Sequence, residues 1–149
     1  MKETQAALAG EMSGHTFFGE RWYGFDDGLY AGARLLEIVS RERDPSAVLS
    51  ALPDALSTPE LNVPCVEGEP HALVARIAAT ATFPTATEVI RLDGVRVEYA
   101  DGFGLARASN TTPVVVLRFE ADDDVALARI QGEFRRALGE IRPAAKLPF

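Results

Sequence analysis

Apolar residues recur along this chain at two different spacings, and the change between them divides it. From Gly28 to Arg41, Leu29, Ala33, Leu36 and Val39 return every three or four residues, the period of one helix face. Asp26 and Asp27 stand just before that run, where a cap and the helix dipole favour carboxylates. A second short helix is predicted from about Pro45 to Leu52. Pro53 and Pro59 bracket the link "LSALPDALSTPE" and resist continuous helix. Beyond the link the pattern shortens. "ELNVPCV", "TEVIRLD", "VRVEYA", "GLARAS" and "PVVVLRFEA" read as strands, and Asp93-Gly94 between two of them is a hairpin signal. The continuous apolar run of the last strand predicts a central position, covered on both faces or tightly paired. Two helices complete the half. "PHALVARIAATA" carries Leu73, Ile77 and Ala81 on one stripe, with Pro70 near its first turn; the last helix, about Asp123 to Ile141, carries Leu127, Ile130, Phe134 and Leu138.

The halves differ in completeness. Residues 55–149 read as one α+β domain. Residues 1–54 hold the short apolar stretch "AALAG", the loop "EMSGHTFFGERWYGFDDG" and the helices, which together do not close a core. That is the expectation for an incomplete α/β fragment whose N-terminal neighbours lie outside this chain.

Composition narrows the function classes. At 149 residues, 47% hydrophobic and 25% charged, the chain has material for one real core. A formal net charge of −7 argues against non-specific binding to nucleic acid or to an anionic membrane. An anionic ligand must therefore be held by a local cluster of donors. The single cysteine, Cys65, cannot form an internal disulfide and reads as a small core residue in a reducing compartment. The N-terminus has no apolar core of signal-peptide length, and no stretch is long and apolar enough to cross a bilayer, so the expected location is cytoplasmic. On that expectation the sequon at Asn110 is set aside.

Two loops carry candidate chemistry. In "RASNTTP", Arg107 offers a planar fork of donors suited to phosphate or carboxylate. Ser109, Thr111 and Thr112 add hydroxyls. Asn110 adds an amide and tolerates the positive φ of a tight turn, and successive N–H groups there could form an anion nest. The competing reading is an Asx-type turn between strands with Arg107 salt-bridged on the surface. In "GEMSGH", Glu11, Ser13 and His15 alternate, so in an extended stretch they point the same way. A carboxylate, a hydroxyl and an imidazole on one side suit a polyol, with His15 able to meet phosphate or move a proton. Here the competing reading is a loop whose polar groups cap their own backbone. His71, at a helix start, reads as a surface or capping residue. Asp122, Asp123 and Asp124 precede the last helix; a metal site is the alternative, but a cap and dipole pairing suffice.

Taken together, "GEMSGHTFFGERWYGFDDGLYAGARLLEI" and "DGVRVEYADGFGLARASNTTPVVVLRFEA" resemble the α-D-phosphohexomutases, and bacterial phosphomannomutase/phosphoglucomutase most of all. The resemblance covers essentially the whole chain. It implies a four-domain enzyme that interconverts hexose 1-phosphate and hexose 6-phosphate through a bisphosphorylated intermediate, using a phosphoserine and Mg²⁺ on the first domain. It implies that residues 1–54 are the end of the sugar-binding third domain, with Glu11 and Ser13 on the sugar hydroxyls and His15 near the reacting end. It also implies that residues 55–149 are the fourth domain, a TATA-binding-protein-like four-stranded antiparallel sheet with two helices. There Arg107, Ser109, Asn110 and Thr111 would hold the phosphate that does not react. No "TASHNP"-like serine loop and no "DGDGDR"-like metal loop stands in this sequence. The expectation is therefore that the missing domains belong to the same enzyme, that Mg²⁺ is bound there and not by this chain, and that the chain alone is inactive. The alternative is a non-enzymatic module that binds sugar phosphate. Glu11 and Ser13 are compatible with mannose and with glucose.

Overall fold

Caps and short paired segments shape the first part of the chain. The structure, a computed structural model, describes residues 1, 4–11 and 13–149. These form two units, Met1–Pro53 and Asp54–Phe149. In the first unit, β1 (Leu8–Gly10) and β2 (Thr16–Phe18) make an antiparallel hairpin, followed by α1 (Gly28–Val39) and α2 (Pro45–Ser50). β2 falls inside the stretch read as loop, because three residues are too few to show a period. The Asp27 carboxylate accepts from Tyr30 N–H at 3.0 Å and caps α1. Asp44 caps α2 by accepting from Ser46 N–H at 3.0 Å, with Pro45 in the first turn.

The apolar stripe of α1 is half-buried at Val39 and exposed at its other three positions within this unit. Leu29 is 89% exposed and Leu36 67%, and Ala33 is exposed with them. The half-buried side carries Tyr30, Ala31, Arg34 and Glu37 instead. Tyr30 stacks on Trp22 with ring centroids 4.2 Å apart and meets Phe18 edge-on at 5.4 Å. The Arg34 guanidinium lies 4.8 Å over the Phe18 ring and pairs with Glu20 at 2.7 Å, and Glu37 pairs with Arg21 at 2.5 Å. An aromatic and ionic seam thus lines the half-buried side of α1.

The second unit begins with β3 (Leu56–Ser57) and β4 (Leu61–Pro64), continues through α3 (Glu69–Thr80), β5 (Glu88–Ile90), β6 (Val95–Tyr99), β7 (Gly102–Ala108) and β8 (Val114–Ala121), and ends with α4 (Asp124–Ile141). All pairings are antiparallel, in the order β3-β8-β7-β6-β5, with β4 also on β8. The α+β class and the two helices agree with expectation. The strand count is six, not four, because the short β3 and β4 both line the edge of β8 that β7 leaves free. β8 is central, as its apolar run predicts.

Alternation sends Val95, Val97, Ala106, Val115, Leu117 and Phe119 to one face, where they are buried against Ile77 of α3 and Ile130, Phe134 and Leu138 of α4. Gly104 allows the closest approach: a Cβ there would stand 2.4 Å from the Phe134 ring. One charged residue is buried among the described residues. Glu133 accepts from Thr85 Oγ1 at 2.9 Å, Thr85 N–H at 3.2 Å and the Tyr99 hydroxyl at 3.1 Å, so its burial is compensated. The face opposite the helices carries Asn62, Arg107 and Val116 side by side through the β4–β8–β7 register.

Candidate functional site

In the first unit, the loop between β1 and β2 gathers the three expected residues. They are brought together by a tight loop closure, not by the pleat of an extended strand. The Glu11 N–H donates to His15 O at 2.9 Å, and Gly14 N–H donates to Glu11 O at 3.0 Å with Gly14 at φ +88. Met12, inside this loop, lies outside the described residues. Ser13 Oγ donates to Glu11 Oε2 at 3.1 Å and stands 2.8 Å from His15 Nδ1. In that arrangement the hydroxyl oxygen accepts from Nδ1–H, which leaves Nε2 as the ring atom able to take or give a proton. Nε2 faces Asp26 Oδ2 at 3.8 Å. That is too far for a hydrogen bond.

Asp26 was read with Asp27 as part of a helix start. The structure separates them: Asp27 caps α1, while Asp26 bridges to Phe17 and turns its carboxylate to His15. Since one carboxylate suffices to cap, the second of an Asp-Asp pair is the signal that was available. The group is solvent-accessible, with His15 and Glu11 side chains 55% and 54% exposed. It can therefore receive a ligand without rearrangement of a core.

In the second unit, Arg107 ends β7 on the open face of the sheet and the loop 109–113 turns the chain into β8. Ser109 organises this turn. Its N–H donates to Val114 O at 3.0 Å, and its Oγ accepts from Thr111 N–H at 3.3 Å and Thr112 N–H at 3.2 Å. Its hydroxyl also meets Thr112 Oγ1 at 2.9 Å. Two N–H groups expected to be free for an anion are thus engaged by Ser109 in this state. Asn110 does not have positive φ; among the described non-glycine residues only Gln5 and Arg21 do. The side-chain-closed turn makes a left-handed residue unnecessary.

Arg107 and residues 109–112 open on one hollow of about 600 Å³, whose wall also includes Glu60 and Asn62. A second hollow of about 140 Å³ lies on the other side of the same loop, against Gly68, Pro70 and His71 at the start of α3. His71 is exposed there, at the wall of a hollow that the phosphate-suited loop shares. Arg107 Nη1 is 3.6 Å from Asp93 Oδ2, the surface ion pair that the competing reading of this arginine expected.

The remaining candidates are structural. Asp123 caps α4, accepting from Ala126 N–H at 2.8 Å. Among the described residues no three His, Cys, Asp or Glu side chains come together as a metal site, and no described helix is long and apolar enough to cross a membrane. Cys65 is half-buried, and burial pushes its thiol pKa up.

Comparison with known proteins supplies the wider frame. Residues 60–137 match the family model "Phosphoglucomutase/phosphomannomutase, C-terminal domain", and residues 1–56 match "Phosphoglucomutase/phosphomannomutase, alpha/beta/alpha domain III". The chain is 60% identical over 139 residues to a phosphoglucomutase of Neisseria meningitidis, covering 93% of this chain and 30% of that protein. It is 52% identical to a phosphomannomutase/phosphoglucomutase of Pseudomonas aeruginosa, covering 100% of this chain and 32% of the relative. A crystal structure of a phosphoglucomutase/phosphomannomutase family protein from Burkholderia thailandensis matches with a TM-score of 0.88 and 64% identity, over 99% of this chain and 31% of that one. The chain thus spans about a third of the length of these relatives. Two family models follow one another along residues 1–56 and 60–137, most of the chain, and on that ground the chain belongs to the phosphoglucomutase/phosphomannomutase family.

Proposed function

We propose that this chain is the C-terminal portion of a hexose-phosphate mutase that interconverts hexose 1-phosphate and hexose 6-phosphate, and that its two loops hold the substrate. The observation that carries the reading is the turn closed by Ser109 beside Arg107, both opening on one hollow. A guanidinium fork next to hydroxyl and amide donors matches the geometry of a phosphate. In this reading Arg107, Ser109, Asn110 and Thr111 hold the non-reacting phosphate, and Thr111 and Thr112 N–H groups exchange Ser109 Oγ for phosphate oxygens. Glu11 accepts from sugar hydroxyls, and Ser13 donates or accepts at the next one. His15, with Nδ1 engaged by Ser13, works through Nε2 as a proton shuttle at the reacting end.

Mg²⁺ would offset the charge of the transferring phosphoryl group. The residues described here do not fit such a site, so no step of this chain is derived through it. Holding the remote phosphate contributes by positioning the reacting end.

The direct test is titration of the chain with glucose 6-phosphate and with mannose 6-phosphate, followed by backbone amide NMR. Saturable shifts at residues 107–112 are expected. Shifts scattered over the surface, or none, would remove the phosphate-loop assignment.

A further inference from the structure

We propose that Asp93 is a positioning residue that sets the phosphate affinity of Arg107 by occupying its guanidinium when no ligand is bound. The proposal rests on the phosphate-loop reading above and concerns a residue outside that loop. Asp93 is at the tip of the β5–β6 hairpin, and the register Val95↔Ala106 brings the tip against the end of β7. The approach is fixed by backbone. Gly94 has φ +93, and a Cβ added there would lie 2.4 Å from Ala106 O and 3.0 Å from Arg107 Cα. The backbone of the tip therefore lies beside Arg107, which keeps the Asp93 carboxylate within reach of the guanidinium.

The contact itself is loose. Asp93 Oδ2 and Arg107 Nη1 are 3.6 Å apart, beyond a direct hydrogen bond, with the side chains 77% and 48% exposed. Exposed pairs of this kind contribute little to stability. They do not lock a guanidinium into the two-pronged geometry a phosphate uses. The carboxylate therefore acts mainly as a competitor: a phosphate on Arg107 displaces it and then stands close to it as a like charge. The consequence is an affinity lower than Arg107 and its loop could otherwise reach, with faster release of the ligand.

The experiment is a titration of the 149-residue chain with inorganic phosphate at low salt, read from the amide shifts of residues 107–112. Asp93→Asn is the informative variant, because it removes the charge at nearly constant size and Asn is as well suited as Asp to a turn position before glycine. Asp93→Asn should bind phosphate about fivefold more tightly, equal to about 1 kcal/mol. Asp93→Glu, which restores the charge, should return the affinity to within about twofold of the original. The gain from Asp93→Asn should shrink at high salt, where a charge effect is screened and a change in turn structure would not be. Glu60→Gln removes a second carboxylate from the same hollow and should give a smaller gain. Equal or weaker binding by Asp93→Asn, a gain that persists unchanged at high salt, or an equal gain from Glu60→Gln each overturns the role of Asp93 while leaving the phosphate loop intact. Absence of phosphate shifts in the unaltered chain overturns both readings together.

Discussion

Arg107 brings a guanidinium to a hollow whose wall also holds the carboxylate of Glu60, so its removal should act on ligand binding far more than on folding. Arg107→Ala is expected to cost about 1.5–3 kcal/mol of phosphate binding, the worth of a charge-assisted hydrogen bond. The titration of residues 107–112 measures it, and an unchanged affinity would mean that the phosphate sits elsewhere. Arg107→Lys should recover only part of the loss, since an ammonium lacks the fork. His15 belongs to a different kind of test. In a complete mutase carrying this loop, His15→Ala should lower kcat more than it raises KM if the proposed proton shuttle operates through Nε2, the ring atom that Ser13 leaves free. Equal effects on both would reduce His15 to a binding contact. Gly104 is a third residue whose role is readable: Gly104→Ala would drive a methyl into the fully buried Phe134 ring, and a loss of about 1–3 kcal/mol in urea unfolding is expected.

At the scale of elements, α4 is tied to β6 by one polar contact inside an apolar interface. The Tyr99 hydroxyl donates to Glu133 Oε2 at 3.1 Å. Burial, then the nearby Glu133 charge, pushes the Tyr99 pKa well above its ordinary value. The sign of the pH dependence follows. Above a pH of about 10 the unfolded chain loses this phenolic proton while the folded chain keeps it. The stability due to Tyr99 is thus complete below that pH and is lost as pH rises beyond it. Urea midpoints measured from pH 8 to pH 11.5 should fall for the original chain, and the fall should be shallower for Tyr99→Phe. Identical slopes would show that Tyr99 is not protected from ionisation. Glu133→Ala removes the acceptor from three donors at once and should destabilise the second unit by about 1–3 kcal/mol.

The molecule as a whole is uneven. Every fully buried apolar side chain among the described residues belongs to Asp54–Phe149; in Met1–Pro53 the helix α1 has none. The second unit should therefore survive limited proteolysis while the first is trimmed. An initial cut inside Val114–Ala121, the central strand, would contradict this. The same unevenness bears on activity. Phosphoryl transfer needs a positioned nucleophile and charge stabilisation at the reacting group, and this sequence contains neither a serine loop nor a metal loop of the family's kind. The purified 149-residue chain is expected to show no mutase turnover with glucose 1-phosphate and Mg²⁺. Turnover by the pure chain would overturn the assignment of the nucleophile to another domain.

Much of this was legible along the chain because it depends on short-range terms. The stripes of α3 and α4, their starts at Pro70 and Asp123, the alternation of β6 and the Asp93-Gly94 turn are all local, and local sterics and periodicity specify them. The two loop motifs were legible for the same reason, since each is contiguous. What depended on register and neighbours was not. The stacking of Tyr30 on Trp22 and of Arg34 over Phe18 joins α1 to the preceding loop and strand, and no spacing within the sequence announces it. Asp26 and Asp27 are equivalent as text, and only the fold sends one to the helix and the other to His15. The pairing of Asp93 with Arg107 exists because β6 and β7 align Val95 with Ala106, and only the paired strands bring together two residues so far apart along the chain.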